Sequence, residues 1–305
     1  MIRLLLFLIA VPAWAQATGL PSAPVRDVAE THYGVTVHDP YRYMEEPDNP
    51  EAQTWAREQA ALVAARLEAL PARKAIYERA RVLEAEQGAE VSNILRVSLD
   101  RFFYQKREPG RSPARLYERV SGQERLVLDP ETFAGKSGGP ALIDHYSVSP
   151  DGHYLACGIS LGGSENAALY VIELASGKQN GFRIERVRWG PVNWLPDSSG
   201  FFYNQLQPLA PGASRQDVFQ RSRVFLHRVD ERAGDPDQAV FGSDLNEAVN
   251  IRASELPFVM TYKGCDQAFG YVTTGVSGDY AVYTCPLARI NGARTPWVKI
   301  ADMSD

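Results

Sequence analysis

The 305-residue chain is 45% apolar and 23% charged, with a formal net charge of −5. That balance is ample for a packed core and carries none of the basic surface that nucleic-acid binding requires. Its three cysteines, Cys157, Cys265 and Cys285, are odd in number and show neither C-x-x-C spacing nor clustering with histidine, which argues against a disulfide scaffold and against a zinc site.

Taken in order, the chain begins with Arg3, the apolar run 4–11 and Ala13-Trp14-Ala15. This is the pattern of a secretory leader cleaved before Gln16. An uncleaved anchor is the alternative, although the run is short for a bilayer. The reading places the protein outside the cytoplasm, periplasmic or secreted, with no membrane attachment after cleavage. Residues 32–37 read as a short strand. Then comes residues 39–48, DPYRYMEEPD. Pro40 and Pro47 fix φ and disfavour helix at the residues before them. Tyr41, Tyr43 and Met44 offer a compact apolar surface, and Arg42, Glu45 and Glu46 read as a solvated charge cluster. Asn49-Pro50 opens a helix, with asparagine as N-cap and proline at the first helical position. Trp55, Leu62, Val63, Leu67 and Leu70 follow at helical spacing until Pro71. A second helix carries Ile76, Ala80 and Leu83 on one face, and Gly88 is its stop. Each stripe requires a partner surface.

From about Val91 the apolar period changes from 3.6 to 2. Ser98-Leu99-Asp100-Arg101 precedes Phe102-Phe103-Tyr104; Ser149-Pro150-Asp151-Gly152 precedes His153-Tyr154-Leu155-Ala156; Pro196-Asp197-Ser198-Ser199-Gly200 precedes Phe201-Phe202-Tyr203. The equivalents Phe102, Tyr154 and Phe202 recur about every 50 residues, and so do Tyr117, Tyr170 and Phe225 in a later strand of each unit. Such a repeat, with four short strands per unit, marks a β-propeller. A fourth unit is visible at 258–262, 268–274 and 280–285, and no closing strand is read in the tail 300–305. Cys157 falls in an apolar strand as a small buried hydrophobe. A hairpin turning near Ser277-Gly278 sets Cys285 opposite about Gly270 rather than Cys265. The compartment permits a Cys265–Cys285 bridge, but that register disfavours it.

The run Asp39, Pro40, Tyr41, Arg42, Tyr43, Met44, Glu45, Glu46 resembles the N-terminal signature of the prolyl oligopeptidase family of serine peptidases. The likeness continues through the helix containing Trp55 and the blade-like repeats. It implies a mainly β fold: a partial β-propeller of about four blades out of the family's seven, preceded by a helical segment. The expected organisation is a leader over 1–15, a helical segment over 16–88 that in the family packs on an α/β-hydrolase domain, and the partial propeller over 89–305. The resemblance further implies cleavage of short peptides after proline, with the propeller covering the active-site cleft. Short proline-containing peptides are then the partners once the hydrolase domain is present. The segment Glu185-Arg186-Val187-Arg188-Trp189, with Asn193-Trp194, resembles a family blade entry whose aromatic lines a substrate subsite. That implies a substrate-binding role for Trp189, the alternative being an inter-blade core residue.

No catalytic residue is assigned. A serine peptidase needs a nucleophile on a strained strand-to-helix turn, a histidine base and an orienting acid. Gly158-Ile159-Ser160-Leu161-Gly162 matches G-x-S-x-G formally, but a turn and another strand follow it instead of a helix. Gly135-Lys136-Ser137-Gly138-Gly139 is a loop. His227 sits in an outer-strand pattern and reads as a polar-facing residue. No metal site, phosphate loop or dinucleotide fingerprint is found, so no cofactor is expected. The chain therefore reads as the front part of a secreted prolyl oligopeptidase-like peptidase, inactive without its hydrolase domain. A stand-alone periplasmic binding propeller is the alternative.

Overall fold

The computed structural model describes residues 20–46, 48–134, 139–190, 192–230, 236–246, 249–275 and 277–304. The leader read at 1–15 and the serine of the second G-x-S-x-G match lie outside the described residues. The chain divides into two compact units, one ending at Glu86 and the other beginning at Gln87.

In the first unit, β1 (Val28–His32) and β2 (Val35–Asp39) form an antiparallel hairpin. Tyr33 and Gly34 make its two-residue turn, both at positive φ (52° and 82°), the backbone that a tight hairpin demands. The strand expected over 32–37 is thus interrupted at its centre by a turn. The signature run then performs a local structural task. Asp39 Oδ1 accepts from the Tyr41 N–H at 3.0 Å, and its other oxygen takes Arg42 Nε at 2.8 Å. The two terminal nitrogens of Arg42 reach both oxygens of Glu30 on β1, at 2.9 and 3.0 Å. Of the expected solvated cluster, Glu45 and Glu46 are exposed, whereas Arg42 forms a fork that ties the turn to the hairpin. Side-chain hydrogen bonds to Arg42 hold the Glu30 and Asp39 carboxyls below their ordinary range, and the Tyr41 N–H adds to this at Asp39.

Helix α1 (Pro50–Glu68) starts as its sequence specifies, with Asn49 accepting from the Glu51 and Ala52 N–H groups. It ends before Pro71. Helix α2 (Arg73–Glu86) ends two residues before Gly88. Neither helix buries a residue. Val63, Leu67, Leu70, Ile76 and Leu83 are all more than 40% exposed. Among the described residues, no helix is long and apolar enough to cross a membrane.

Among the described residues, the second unit is four antiparallel sheets of four strands, each a simple meander in chain order. The first blade is β3 (Glu90–Arg96), β4 (Arg101–Arg107), β5 (Arg115–Val120) and β6 (Gln123–Leu128). The second is β7 (Ala141–Val148), β8 (Tyr154–Leu161), β9 (Ala168–Glu173) and β10 (Gln179–Ile184). The third is β11 (Asn193–Trp194), β12 (Gly200–Gln205), β13 (Arg223–Arg228) and β14 (Gln238–Gly242). The fourth is β15 (Glu255–Thr261), β16 (Gln267–Thr274), β17 (Ala281–Pro286) and β18 (Val298–Ala301). β18, the outer strand of the fourth blade, takes only Ile300 and Ala301 from the tail that was expected to lack a closing strand.

Successive strand residues point to opposite sheet faces, so each inner blade is apolar on both. Phe201 joins Trp194, Leu169 and Val171 in the core between blades two and three. Its neighbour Phe202 joins Val224, Phe241, Tyr283 and Trp297 in the core between blades three and four. Phe103, Leu116, Leu155 and Cys157 belong to the core between blades one and two. Trp297 Nε1 donates to the Val240 carbonyl at 2.8 Å, pinning the end of the fourth blade to the third.

All three cysteines are free. Burial pushes the Cys157 thiol up to about 12. Cys285 pairs opposite Ala268, two residues from the expected Gly270. The register centres the β16–β17 hairpin about one residue earlier than the Ser277-Gly278 cue suggests, which shifts the partner of Cys285 by two.

Candidate functional site

Trp189 lies on the segment joining β10 to β11. Both neighbouring blades fix that segment. The Val187 N–H donates to the Ala167 carbonyl at 3.0 Å, while Arg186 and Leu206 exchange two bonds of 3.0 Å, one from Arg186 Nε and one from the Leu206 N–H. Arg186 takes a left-handed φ of 62°, which turns the chain sharply there. Val187 enters the core and Trp189 does not: the indole is half-buried and belongs to none of the three inter-blade cores.

Two cavities meet at Trp189 and Gly190. The larger, about 470 Å³, is mainly apolar, with Met260, Tyr262, Tyr271 and Tyr280 among its walls. The Tyr262 and Tyr271 hydroxyls are 3.2 Å apart, and Tyr280 packs edge-on to Tyr271 at 6.1 Å. Burial raises the Tyr271 phenol to about 12, so it is neutral and able to donate at physiological pH. The smaller cavity, about 390 Å³, has the ionisable side chains of Asp144, His145, Glu165 and Arg188 in its lining. The Arg188 guanidinium carbon is 5.4 Å from the Trp189 ring centre and 5.6 Å from that of Phe219. The two rings are 6.4 Å apart. Arg188 Nη2 donates to Glu165 Oε2. One indole thus separates a mainly apolar cavity from one lined by ionisable side chains.

The Ser160 motif is no nucleophile elbow. Ser160 is buried within β8 and donates to Asp144 Oδ1 at 2.7 Å. A hydroxyl aimed at a carboxylate, on a strand that turns directly into β9, has neither a base nor a helix N-terminus behind it. His145, adjacent to Asp144, has Nε2 3.4 Å from the Val187 carbonyl, and burial lowers its pKa. His227 is fully buried, not polar-facing. Its Nδ1 meets Asp237 Oδ1 at 2.9 Å, and Phe182 packs edge-on at 4.4 Å. The Tyr203 hydroxyl donates to the other Asp237 oxygen at 2.7 Å. His227 lies on β13, the third strand of its blade and not the outer one, and it faces the second blade rather than solvent. Among the described residues, no group of three or more histidine, cysteine, aspartate or glutamate side chains could hold a metal ion.

The tyrosines and Met260 were not singled out from the sequence. Their signal is faint: Tyr262, Tyr271 and Tyr280 recur at intervals of nine across the two successive hairpins of β15, β16 and β17, which is legible only once the register of β16 is known.

The family model for the N-terminal β-propeller domain of prolyl oligopeptidase matches residues 21–272. The chain belongs to the prolyl oligopeptidase family. It is 24% identical over 216 residues to a prolyl endopeptidase of Elizabethkingia miricola, covering 70% of this chain and 30% of that protein. It is 28% identical over 229 residues to a prolyl oligopeptidase of Omphalotus olearius, covering 67% and 30% respectively. A solved prolyl endopeptidase structure superposes with a TM-score of 0.74 at 26% identity, over 93% of this chain and 40% of the other. Prolyl oligopeptidase B of Galerina marginata, bound to a macrocyclization substrate, gives 0.73 at 18% identity, over 92% and 41%, a likeness of fold. The chain thus spans about a third of the length of the curated family members it matches.

Proposed function

We propose that this chain is the propeller portion of a secreted prolyl oligopeptidase-like serine peptidase that cleaves short peptides after proline. The bond-breaking residues belong to an α/β-hydrolase domain of the kind the family carries, and this chain alone does not hydrolyse peptides. The observation that carries the reading is the match to the family's propeller domain over residues 21–272, together with a Ser160 that is buried and committed to Asp144. In this reading Trp189 lines a substrate subsite, and its indole offers large contact area at low entropic cost. The exposed stripes of α1 and α2, with Val63, Leu67, Ile76 and Leu83, are the surface on which the hydrolase domain rests. The leader delivers the protein outside the cytoplasm.

The test is hydrolysis of a chromogenic proline-containing peptide by the purified chain. The expected result is no turnover above buffer. Turnover that Ser160→Ala abolishes overturns the proposal. A second arm adds a relative's isolated hydrolase domain to the chain, with activity expected only in the mixture and reduced in affinity for peptide by Trp189→Ala.

A further inference from the structure

We infer that Arg188 is a carboxylate-recognition residue, and that the smaller cavity beside Trp189 takes the C-terminal carboxylate of a short peptide. The inference rests on the peptide-binding reading of the Trp189 site and adds the chemical group recognised there.

Three observations carry it. First, the guanidinium is held in place before any ligand arrives. It lies near both the Trp189 and Phe219 rings, at 5.4 and 5.6 Å, contacts that suit a planar cation. The Arg188 side chain is 25% exposed, so one edge still meets solvent in the cavity. Second, its present anionic partner is replaceable. Glu165 follows the Gly162-Gly163 turn and its side chain is 70% exposed, so it returns to water at little cost when a ligand carboxylate takes its place. The remaining contact, from Arg188 Nη1 to the Ser164 carbonyl, is long at 3.4 Å. Third, the cavity adjoins a larger apolar one across Trp189. A side chain seated among Trp189, Met260 and Tyr262 therefore has a cation at hand for the chain terminus. The other carboxylate in the cavity, Asp144, is engaged by the Ser160 hydroxyl, and His145 is held neutral by burial. An ammonium ligand is the competing chemistry, since Glu165 and Asp144 would both attract it. The fixed arginine and loose glutamate favour the carboxylate.

A planar guanidinium pairing with a terminal carboxylate discriminates acid from amide by about tenfold. Binding is measured on the purified chain by calorimetry, using N-acetyl-phenylalanyl-alanine as the free acid and as its C-terminal amide. Both lack proline, so hydrolysis plays no part. The acid is expected to bind about tenfold tighter than the amide, with the preference shrinking as salt rises. Arg188→Ala should equalise the two ligands while leaving the melting temperature within a few degrees. Glu165→Gln should tighten the acid and leave the amide unchanged, a gain that a merely structural ion pair would not give. Equal affinity for acid and amide, no binding of either, or a preference that survives Arg188→Ala overturns the inference. An acid–amide difference in a chain that proves to hydrolyse proline peptides by itself would sustain this inference while sinking the proposed division of labour.

Discussion

At the scale of single residues, Gly158 shows how closely the inner strands are fitted. It pairs with His145 across β7 and β8, and a Cβ built on it would lie 2.4 Å from two atoms of the imidazole. Its φ is not left-handed, so the requirement is one of space alone. Gly158→Ala should lose about 1–3 kcal/mol of stability by forcing a packed ring aside, measured by urea unfolding. Adding His145→Ala should restore most of that loss. Equal instability of the single and double variants would show that the ring does not set the constraint. Arg42 makes a second residue-scale point. Its fork joins Asp39 and Glu30, geometry that lysine cannot reproduce. The most recognisable run in the chain is thus a fold-forming device.

At the scale of elements, the repeated turn between the first and second strand of a blade is the clearest device. Asp100 takes the Ser98 and Ser121 hydroxyls at 3.0 and 2.8 Å. Asp151 accepts the Ser149 hydroxyl and the His153 N–H at 2.6 and 3.0 Å. Asp197 accepts both the Ser199 N–H and hydroxyl, at 3.0 and 2.7 Å. The pKa of each is lowered. Ser121 leads at Asp100 and Ser199 at Asp197, whereas at Asp151 burial pulls upward and is outweighed by Ser149 and His153. A carboxyl held low in the folded state adds stability that is fully present above its unfolded value, about 3.9, and disappears as pH falls through the folded value. The melting temperature should therefore begin to fall below about pH 6.5, where the unfolded chain takes up a proton that buried His145 resists, and fall further from about pH 4 as these carboxyls lose their advantage. Asp151→Asn should flatten part of that fall. A melting temperature unaffected by acid, or an Asp151→Asn profile parallel to the parent, would refute the linkage. These turns were legible in the sequence because aspartate and serine side chains bond their own backbone, and glycine accepts the positive φ that a turn needs. The Asn49 cap was legible for the same local reason. What escaped depends on partners distant in sequence. The face taken by His227 depends on the packing of Phe182 from another blade, and the position of Cys285 depends on where the β16–β17 turn closes.

At the scale of the whole propeller unit, four blades are joined by three cores among the described residues. The second and third blades are each packed on both faces, while the first and fourth have one packed face each. Stability should then follow a nearest-neighbour pattern, as in stacked repeats. Phe201 and Phe202 test this because adjacent residues serve different seams. Each substitution to alanine removes a fully buried ring and should cost about 3–5 kcal/mol. The consequences should differ in place. Phe202→Ala loosens the single seam that holds the fourth blade, so amides of β15, β16 and β17 should lose protection from hydrogen exchange while those of β8 and β9 keep it. Phe201→Ala opens an internal seam and should lower protection on both sides, in β8 and β9 as well as β12 and β13. If the two variants instead lower protection uniformly across all four blades, the unit unfolds as one cooperative body and the additive, seam-by-seam account of its stability fails.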